Sequence, residues 1–498
     1  MPTIEHTSTL PFSRQDVFAW YSRPGALVRL HPPFSGSVIQ EPSNGIEEGS
    51  ESRLSIYPPG SFGLGLTSAA GLLGTVLPVK VPGAMQPAVT WTARHTEKTA
   101  NESMTDEMVH GPFSSWTHQR SFTDDGDGMQ LHETVSFELP GWMPAHLPGR
   151  GWQEDKVLEE LHRMFAYREH QTAADLGFHA AHGALASQQG RALTVAVTGA
   201  SGMIGAQVCA LLGGAGHTVR RMVRRRAETA DEISWDPSGG RLDKESLRDV
   251  DVVINLAGHP LAGRFTQAHK RRVLDSRVEG SALIAERLAE LERSDHRGRS
   301  LINGSAIGYY GAQPEKQPVQ GRLLDESLEA GEDFLASVCQ QWEAAAERAA
   351  EAGVRVAIVR TGIVQTPAGG ALQQMLPLFV AGVGGPLGGQ QWQSWISIDD
   401  VASIIVHLTQ HQEAQGPFNA VAPEPVTMRD HAKILAAVLH RPCAVPVPKV
   451  GPRAVLGTQG AQELIEADQK VSSAKILETG YEFRHPRLSA ALHHVLGT

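Results

Sequence analysis

The stretch that most constrains this chain is "LTVAVTGASGMIGAQVCALLGGAGHTVRRMVRRR", Leu193 to Arg226. A buried strand, Leu193 to Val197, runs into Gly199, Gly202 and Gly205 at three-residue spacing. A helix through Leu212 and a second strand, Thr218 to Val223, follow. The first glycine permits a tight turn, and the second lets backbone approach a pyrophosphate. The third lets helix and strand pack closely, with the helix N-terminus facing the anion. Gly199, Ser201, Gly202, Met203, Ile204 and Gly205 are the candidate phosphate cradle.

The second strand closes on Arg224, Arg225 and Arg226 rather than on the acid that would hold an NAD ribose hydroxyl. A guanidinium grips a 2′-phosphate through charge-assisted bonds that an acid would repel. Arg224, nearest the strand end, is the candidate clamp, and NADP(H) is the expected cofactor in preference to NAD(H).

Bulk properties narrow the class. A chain of 498 residues exceeds one ordinary core. The net charge of −10 argues against nucleic-acid binding. Cys209, Cys339 and Cys443 have neither metal nor disulfide-framework spacing, and a reducing, cytoplasmic location is expected. The start lacks a signal-peptide pattern. The Gly-rich, nearly uncharged Gly60–Val81 segment reads as a loop or cavity lining, not a membrane span.

Residues 1–180 read as α+β. Ser13 is a plausible cap for a short helix pair with Phe18, Trp20 and Tyr21 inward. Alternating strands follow, with a hairpin at "DDGDG". A long amphipathic helix then carries Val157, Leu158, Leu161, Met164 and Phe165 as its stripe. "VFAWYSRPGALVRLHPP", "GPFSSWTHQRSF" and "FAYREHQTAADL" resemble the START/Bet v 1-like, polyketide-cyclase-like superfamily. The resemblance implies a helix-grip domain whose cavity takes an apolar or aromatic ligand. Gly177 to Leu193 is small, polar and aperiodic, and reads as linker, placed at 181–192 between the two domains.

From Leu193 onward, "DVDVVINLAGHP", "SLINGSAIGYYG", "VRVAIVRTGIV" and "SWISIDDVA" follow in order. With the tail from "HRPCAVPVPKV" onward they resemble the atypical extended short-chain dehydrogenase/reductases labelled predicted nucleoside-diphosphate-sugar epimerases, or SulA-type. The expected fold of 193–498 is a Rossmann-type doubly wound parallel sheet with a small C-terminal lobe from about 425. The resemblance implies that Leu256, Ala257 and Gly258 lie along the cofactor, that Arg277 points toward it, and that Val364 sits by the nicotinamide.

That superfamily carries Tyr-x-x-x-Lys on the helix after the Ser305 strand. Here "EDFLASVCQQWEAAAERAA", Glu332 to Ala350, holds neither residue type. Leu335 and Cys339 fall at the two positions. A positioned acid–base group contributes about 10²–10⁴-fold in rate, so a proton must come from elsewhere. Ser305 is the candidate to polarise a carbonyl, and Tyr309 and Tyr310 are candidate pocket phenols. The expected function is an oxidoreductase or epimerase-like enzyme on a carbonyl, carbinol or nucleotide-sugar substrate. The alternative is a weakly catalytic NADP(H)-binding sensor or scaffold. His407 and His411 read as surface histidines and no metal is expected. Asp399 and Asp400 read as structural, capping acids.

Overall fold

The computed structural model describes residues 1–57, 89–140, 150–188, 190–312, 323–386, 389–443 and 450–498. The Gly60–Val81 reading lies outside the described residues.

The first unit holds β1 (Thr3–Leu10), β2 (Gly36–Gln40), β3 (Ser43–Ile46), β4 (Glu51–Ile56), β5 (Val89–Thr99), β6 (Ser103–His110), β7 (Ser115–Asp125) and β8 (Gly128–Glu138). All but β3 pair antiparallel in the order β1-β8-β7-β6-β5-β4-β2. Asp125 pairs with Gly128, and Gly126 takes φ +59°, the left-handed geometry a two-residue hairpin turn demands. Ser13 caps the helix Arg14–Ser22 by accepting from the Asp16 amide. Phe18, Trp20 and Tyr21 are buried as expected.

The long helix, Arg150–Ala181, lies against the sheet. Leu161 and Phe165 are buried with Ile4, Val135 and Phe137 from the strands. The helix continues through Gly177–Ala181, which corrects the linker reading there. Small residues without periodicity hid a helix end that packs closely: buried His179 lies 3.2 Å from where a Cβ on Gly214 would stand. Asp16 then ties down the connecting segment by accepting from both the amide and hydroxyl of Ser187.

The second unit holds β9 (Thr194–Thr198), β10 (Thr218–Val223), β11 (Glu232–Asp236), β12 (Arg241–Leu242), β13 (Val252–Asn255), β14 (Ser300–Ala306), β15 (Arg355–Thr361), β16 (Ile363–Gln365), β17 (Trp392–Gln393), β18 (Trp395–Ser397), β19 (Gly416–Ala420) and β20 (Val426–Thr427). Its main sheet runs β12-β11-β10-β9-β13-β14-β15-β19 and is parallel except at β12. Alternation divides the strands between two cores. Val195, Val197 and Ile254 pack with the helices Met203–Gly214 and Ile398–Gln410 on one face. Ala196, Val253 and Leu301 pack with Gln267–Asp295 and Phe334–Glu347 on the other. Leu435 and Leu492 from the C-terminal helices enter the first of these cores. The chain proceeds from β9 outward to β11 and returns on β9's other side as β13, so the strand order reverses there. Ligands of open α/β sheets bind at the carboxyl ends beside such a switch point.

The two units meet on the Met203–Gly214 helix. A Cβ on Gly25 would stand 2.4 Å from Ala210 Cα, and one on Gly213 would stand 2.4 Å from the Pro24 carbonyl oxygen. Buried Arg29 donates to Asp175 at 2.8 and 2.9 Å, to Asp399 at 2.7 Å and to Gln207 at 2.6 Å. Asp399 is thus an interdomain ion-pair acceptor. Asp400 accepts from Tyr481, from the Arg484 amide and from Ser397, the cap of its own helix. His407 is buried at this junction, 2.8 Å from His182, because its helix face is covered; the surface reading does not hold.

Candidate functional site

The glycine loop bridges β9 and its helix at the switch point. Gly199 has φ +64°, and a Cβ there would stand 2.9 Å from the Leu256 carbonyl carbon. The Gly202 amide donates to the Gly199 carbonyl at 2.8 Å. A Cβ on Gly205 would come within 2.1 Å of that same oxygen. The helix begins at Met203 without a side-chain cap, so no side chain satisfies its first amides. Ser201 is exposed, Ile204 is half-buried against the core, and the Met203 thioether lies 3.0 Å from where a Gly369 Cβ would stand. Val364, on β16, is buried beside Gly370, which the Met203 methyl also approaches.

Leu256, Ala257 and Gly258 lie along the neighbouring strand end, as the sheet order requires. Thr198 holds them: its hydroxyl accepts from the Leu256 and Ala257 amides at 3.0 and 3.1 Å and donates to Asn255 at 2.7 Å. Asn255 continues to Ser281 and Asn303, both at 2.8 Å. This buried polar chain was not anticipated. Its signal was present as polar residues closing otherwise apolar strands.

Arg277 donates to the carbonyls of His259 and Val273 and stands 5.1 Å over the Trp342 ring. Its guanidinium lies against Gly258, so what it holds directly is the loop carrying Leu256–Gly258. Of the three arginines after β10, Arg226 is exposed and has no side-chain partner among the described residues. Arg225 pairs with Glu232 at 2.8 and 2.5 Å. Arg224 is exposed and has no ion-pair or hydrogen-bond partner among the described residues. His259 titrates below its usual range through burial, then through the positive charges of Arg272, His269, Arg277 and Arg224. Arg224, Arg272 and Arg277 are thus all within electrostatic reach of His259, and cations gathered there favour an anion.

The acid–base position is built differently. Leu335 and Cys339 are buried, and both face Gly308, just past Ser305: a Cβ there would be 3.5 and 3.9 Å from them. Burial, then the Glu343 charge, pushes the Cys339 thiol up to about 12. Ser305 donates to Glu343 at 2.6 Å. Arg360 grips the same carboxylate at 2.9 and 2.8 Å and reaches the Tyr310 hydroxyl at 3.2 Å. Tyr310, pushed up to about 12 by burial, donates to Asn419 at 2.8 Å. Tyr309 is half-buried with the Arg360 guanidinium 3.4 Å over its ring. The structure therefore gathers Ser305, Tyr309 and Tyr310 around an Arg360–Glu343 pair that sequence reasoning missed. Ser305 is buried and commits its proton to Glu343. Polarising a carbonyl would require releasing a charge-assisted bond worth about 1.5–3 kcal/mol.

Asp399, His485 and His494 place ligand-type atoms within 4.8 Å of one another. Arg29 pairs with that carboxylate and Arg484 lies close to it, both cations unfavourable to a metal ion. Among the described residues no helix is long and apolar enough to cross a membrane.

Residues 195–421 match the NAD dependent epimerase/dehydratase family, and residues 447–495 match a domain of unknown function, DUF1731. An epimerase family protein of Mycobacterium bovis is 37% identical over 300 residues, 60% of this chain and 96% of that one. The chain belongs to the epimerase family. The mouse epimerase family protein SDR39U1 is 36% identical over 310 residues, covering 61% of this chain and all of that protein. A Corynebacterium glutamicum structure described as a nucleoside-diphosphate sugar epimerase superposes with a TM-score of 0.74 at 30% identity. It covers 100% of this chain and 90% of its own. The human SDR39U1 structure, solved with NADPH, gives a TM-score of 0.52 at 30% identity over 61% of this chain and 99% of its own.

Proposed function

We propose that this family member binds NADP(H) and acts as an oxidoreductase or epimerase-like enzyme on a carbonyl or carbinol substrate. The observation that carries the cofactor choice is the unpaired Arg224 at the end of β10, within electrostatic reach of His259 as Arg272 and Arg277 are. The NADPH in the human relative supports the same choice. The crevice fits a dinucleotide: uncapped helix amides, glycines whose side chains would fill the approach, and the Leu256–Gly258 backbone laid alongside. Bound nicotinamide supplies hydride exchange.

The chain's own residues hold the proton. Ser305, committed as donor to Glu343, is arranged to accept a hydrogen bond from a substrate hydroxyl. Arg360 keeps Glu343 in place: burial opposes its charge, but the Glu343 carboxylate outweighs burial and holds the guanidinium above its ordinary range. Tyr310, bonded to both Asn419 and Arg360, braces the pair.

A second reading, a weakly catalytic sensor, draws on a specific feature. The Met203–Gly214 helix presents the phosphate loop at one end and the Gly25 and Arg29 contacts along its body. Dinucleotide occupancy and the interdomain contact thus share one rigid element. The deciding experiment is nicotinamide absorbance with NADPH against a panel of aldehydes and ketones, and with NADP⁺ against alcohols. Turnover that falls about 10²-fold or more in Ser305→Ala supports the enzyme. Bound NADPH that stays reduced throughout supports the sensor.

A further inference from the structure

Ser305 gives its proton to Glu343 at 2.6 Å, so it has none for a substrate. Reduction of a carbonyl needs a donor, and the helix that should carry one has buried Leu335 at its phenol position. The carboxylates bordering that position are two. Asp333 is spent as the helix cap: its oxygens accept from the Ala336 amide at 2.9 Å and the Ala312 amide at 2.6 Å. The other is Glu463, which the helix Val450–Leu464 brings in from the C-terminal part of the chain.

Glu463 Oε2 accepts from the Leu335 amide at 2.9 Å. Its Oε1 accepts from Gln459 Nε2 at 2.7 Å, one turn back on the same helix, and Gln459 Oε1 accepts from Lys270 at 3.1 Å. A lysine thus orients a carboxyl group through one amide, at the position where the superfamily pairs a lysine with a phenol. Three segments are pressed together to hold it. The Phe265 amide donates to the Leu456 carbonyl at 3.3 Å, and a Cβ on Gly460 would stand 3.1 Å from the Phe265 ring. Phe265 in turn meets Phe334 edge-on, centroids 5.6 Å apart, and Lys270 lies 5.2 Å over the Phe334 ring. Glu463, Gln459, Lys270, Phe265 and Phe334 are all half-buried, so the group is open to solvent on one side. Burial raises the Glu463 carboxyl above its ordinary range, opposed by the bonds from Gln459 and Leu335 and assisted by the Asp333 charge. Asp333 faces it from the Phe334–Glu347 helix start, and Lys270 reaches toward it from the helix Gln267–Asp295.

We infer that Glu463 is the acid–base residue of this site, giving a proton to a substrate carbonyl oxygen in reduction and taking it from the alcohol in oxidation. The inference rests on the enzyme reading above and supplies the proton donor that Ser305 cannot be. In reduction the carbonyl carbon gains the hydride that NADPH gives up, and its oxygen gains the carboxyl proton. The products are an alcohol, NADP⁺ and the Glu463 carboxylate, which water reprotonates. Glu463 lies within residues 447–495, so the domain of unknown function contributes a reacting group to the cofactor domain's site.

Glu463→Gln tests this on the full chain, because it keeps an oxygen for the Leu335 amide and removes only the proton. With NADPH and whichever aldehyde or ketone of the panel wild type reduces fastest, kcat should fall about 10²–10⁴-fold. NADPH affinity by fluorescence should stay at the wild-type value. Wild-type kcat for reduction should decline as pH rises through the carboxyl's titration, a limb the variant lacks. A readout without turnover comes from protein labelled with carbon-13 at its glutamate carboxyls. The one resonance missing in Glu463→Gln should titrate above the ordinary glutamate value of about 4.3. A wild type inactive across the whole panel overturns the enzyme reading and this inference with it. Turnover that survives undiminished in Glu463→Gln, or a Glu463 carboxyl that titrates at or below the ordinary value, overturns this assignment alone and leaves Glu463 a helix cap.

Discussion

The helix that follows the glycine loop and the helix Phe334–Glu347 pack on opposite faces of one sheet, yet each treats its family pattern differently. The loop keeps every feature that dinucleotide binding needs: a positive φ at Gly199, a Gly205 that no side chain could replace, and an uncapped helix start. The helix keeps its place beside Ser305 but fills the acid–base positions with Leu335 and Cys339, both buried. The loop keeps its close-packed geometry, while Ser305, Glu343 and Arg360 form a hydrogen-bonded group beside the helix that lacks the acid–base pair.

The largest effect expected from breaking this contrast is on stability. Glu343→Ala strands a buried guanidinium and should cost about 3–5 kcal/mol in urea unfolding. NADPH affinity per folded molecule should stay within about threefold, because no contact runs from Glu343 to the loop. Gly205→Ala reverses the pattern. Its Cβ would collide with the Gly199 carbonyl, and overpacking of about 1–3 kcal/mol should appear mainly as a ten- to hundred-fold loss of NADPH affinity by fluorescence titration.

A pH series sharpens the comparison from another side. Burial holds His179 and His494 near 3 and His217 and His407 near 4, all close to the domain junction. Each is neutral when folded and takes up a proton on unfolding. Their contribution is complete above pH ~6.5 and declines as pH falls toward the folded values, by at most about 1.4 kcal/mol per pH unit for each. Urea midpoints should drop between pH 7 and 5, and an unchanged midpoint would contradict the buried placement. The smallest effect is chemical. At pH 8 iodoacetamide should label half-buried Cys443 and leave Cys339 unmodified in the native protein, read by mass spectrometry, since a thiol near 12 offers almost no thiolate.

Local chemistry was legible in the sequence where short-range physics decides it. Thr218–Val223 is a strand with the predicted bounds, Ser13 is the cap, and "DDGDG" is the turn, because each depends on residues within a few positions. What escaped depends on distance along the chain. Glu343 meets Arg360 only after a helix and a strand fold back on each other. Arg29 and Asp399 lie 370 positions apart and share no local pattern. His407 looked exposed because nothing near it in sequence supplies the helix that covers it. Arg224 was set apart from Arg225 only by its place at the strand end, and the pairing of Arg225 with Glu232, on the next strand, was not legible there.

The most direct test of the central claim is a fluorescence titration of cofactor-stripped protein with NADPH and NADH, for wild type and Arg224→Asp. NADPH should bind the wild type about ten- to hundred-fold more tightly than NADH, the worth of one charge-assisted phosphate clamp of about 1.5–3 kcal/mol. That preference should vanish or reverse in the variant. Equal affinities for the two dinucleotides, or binding of neither, would contradict the account.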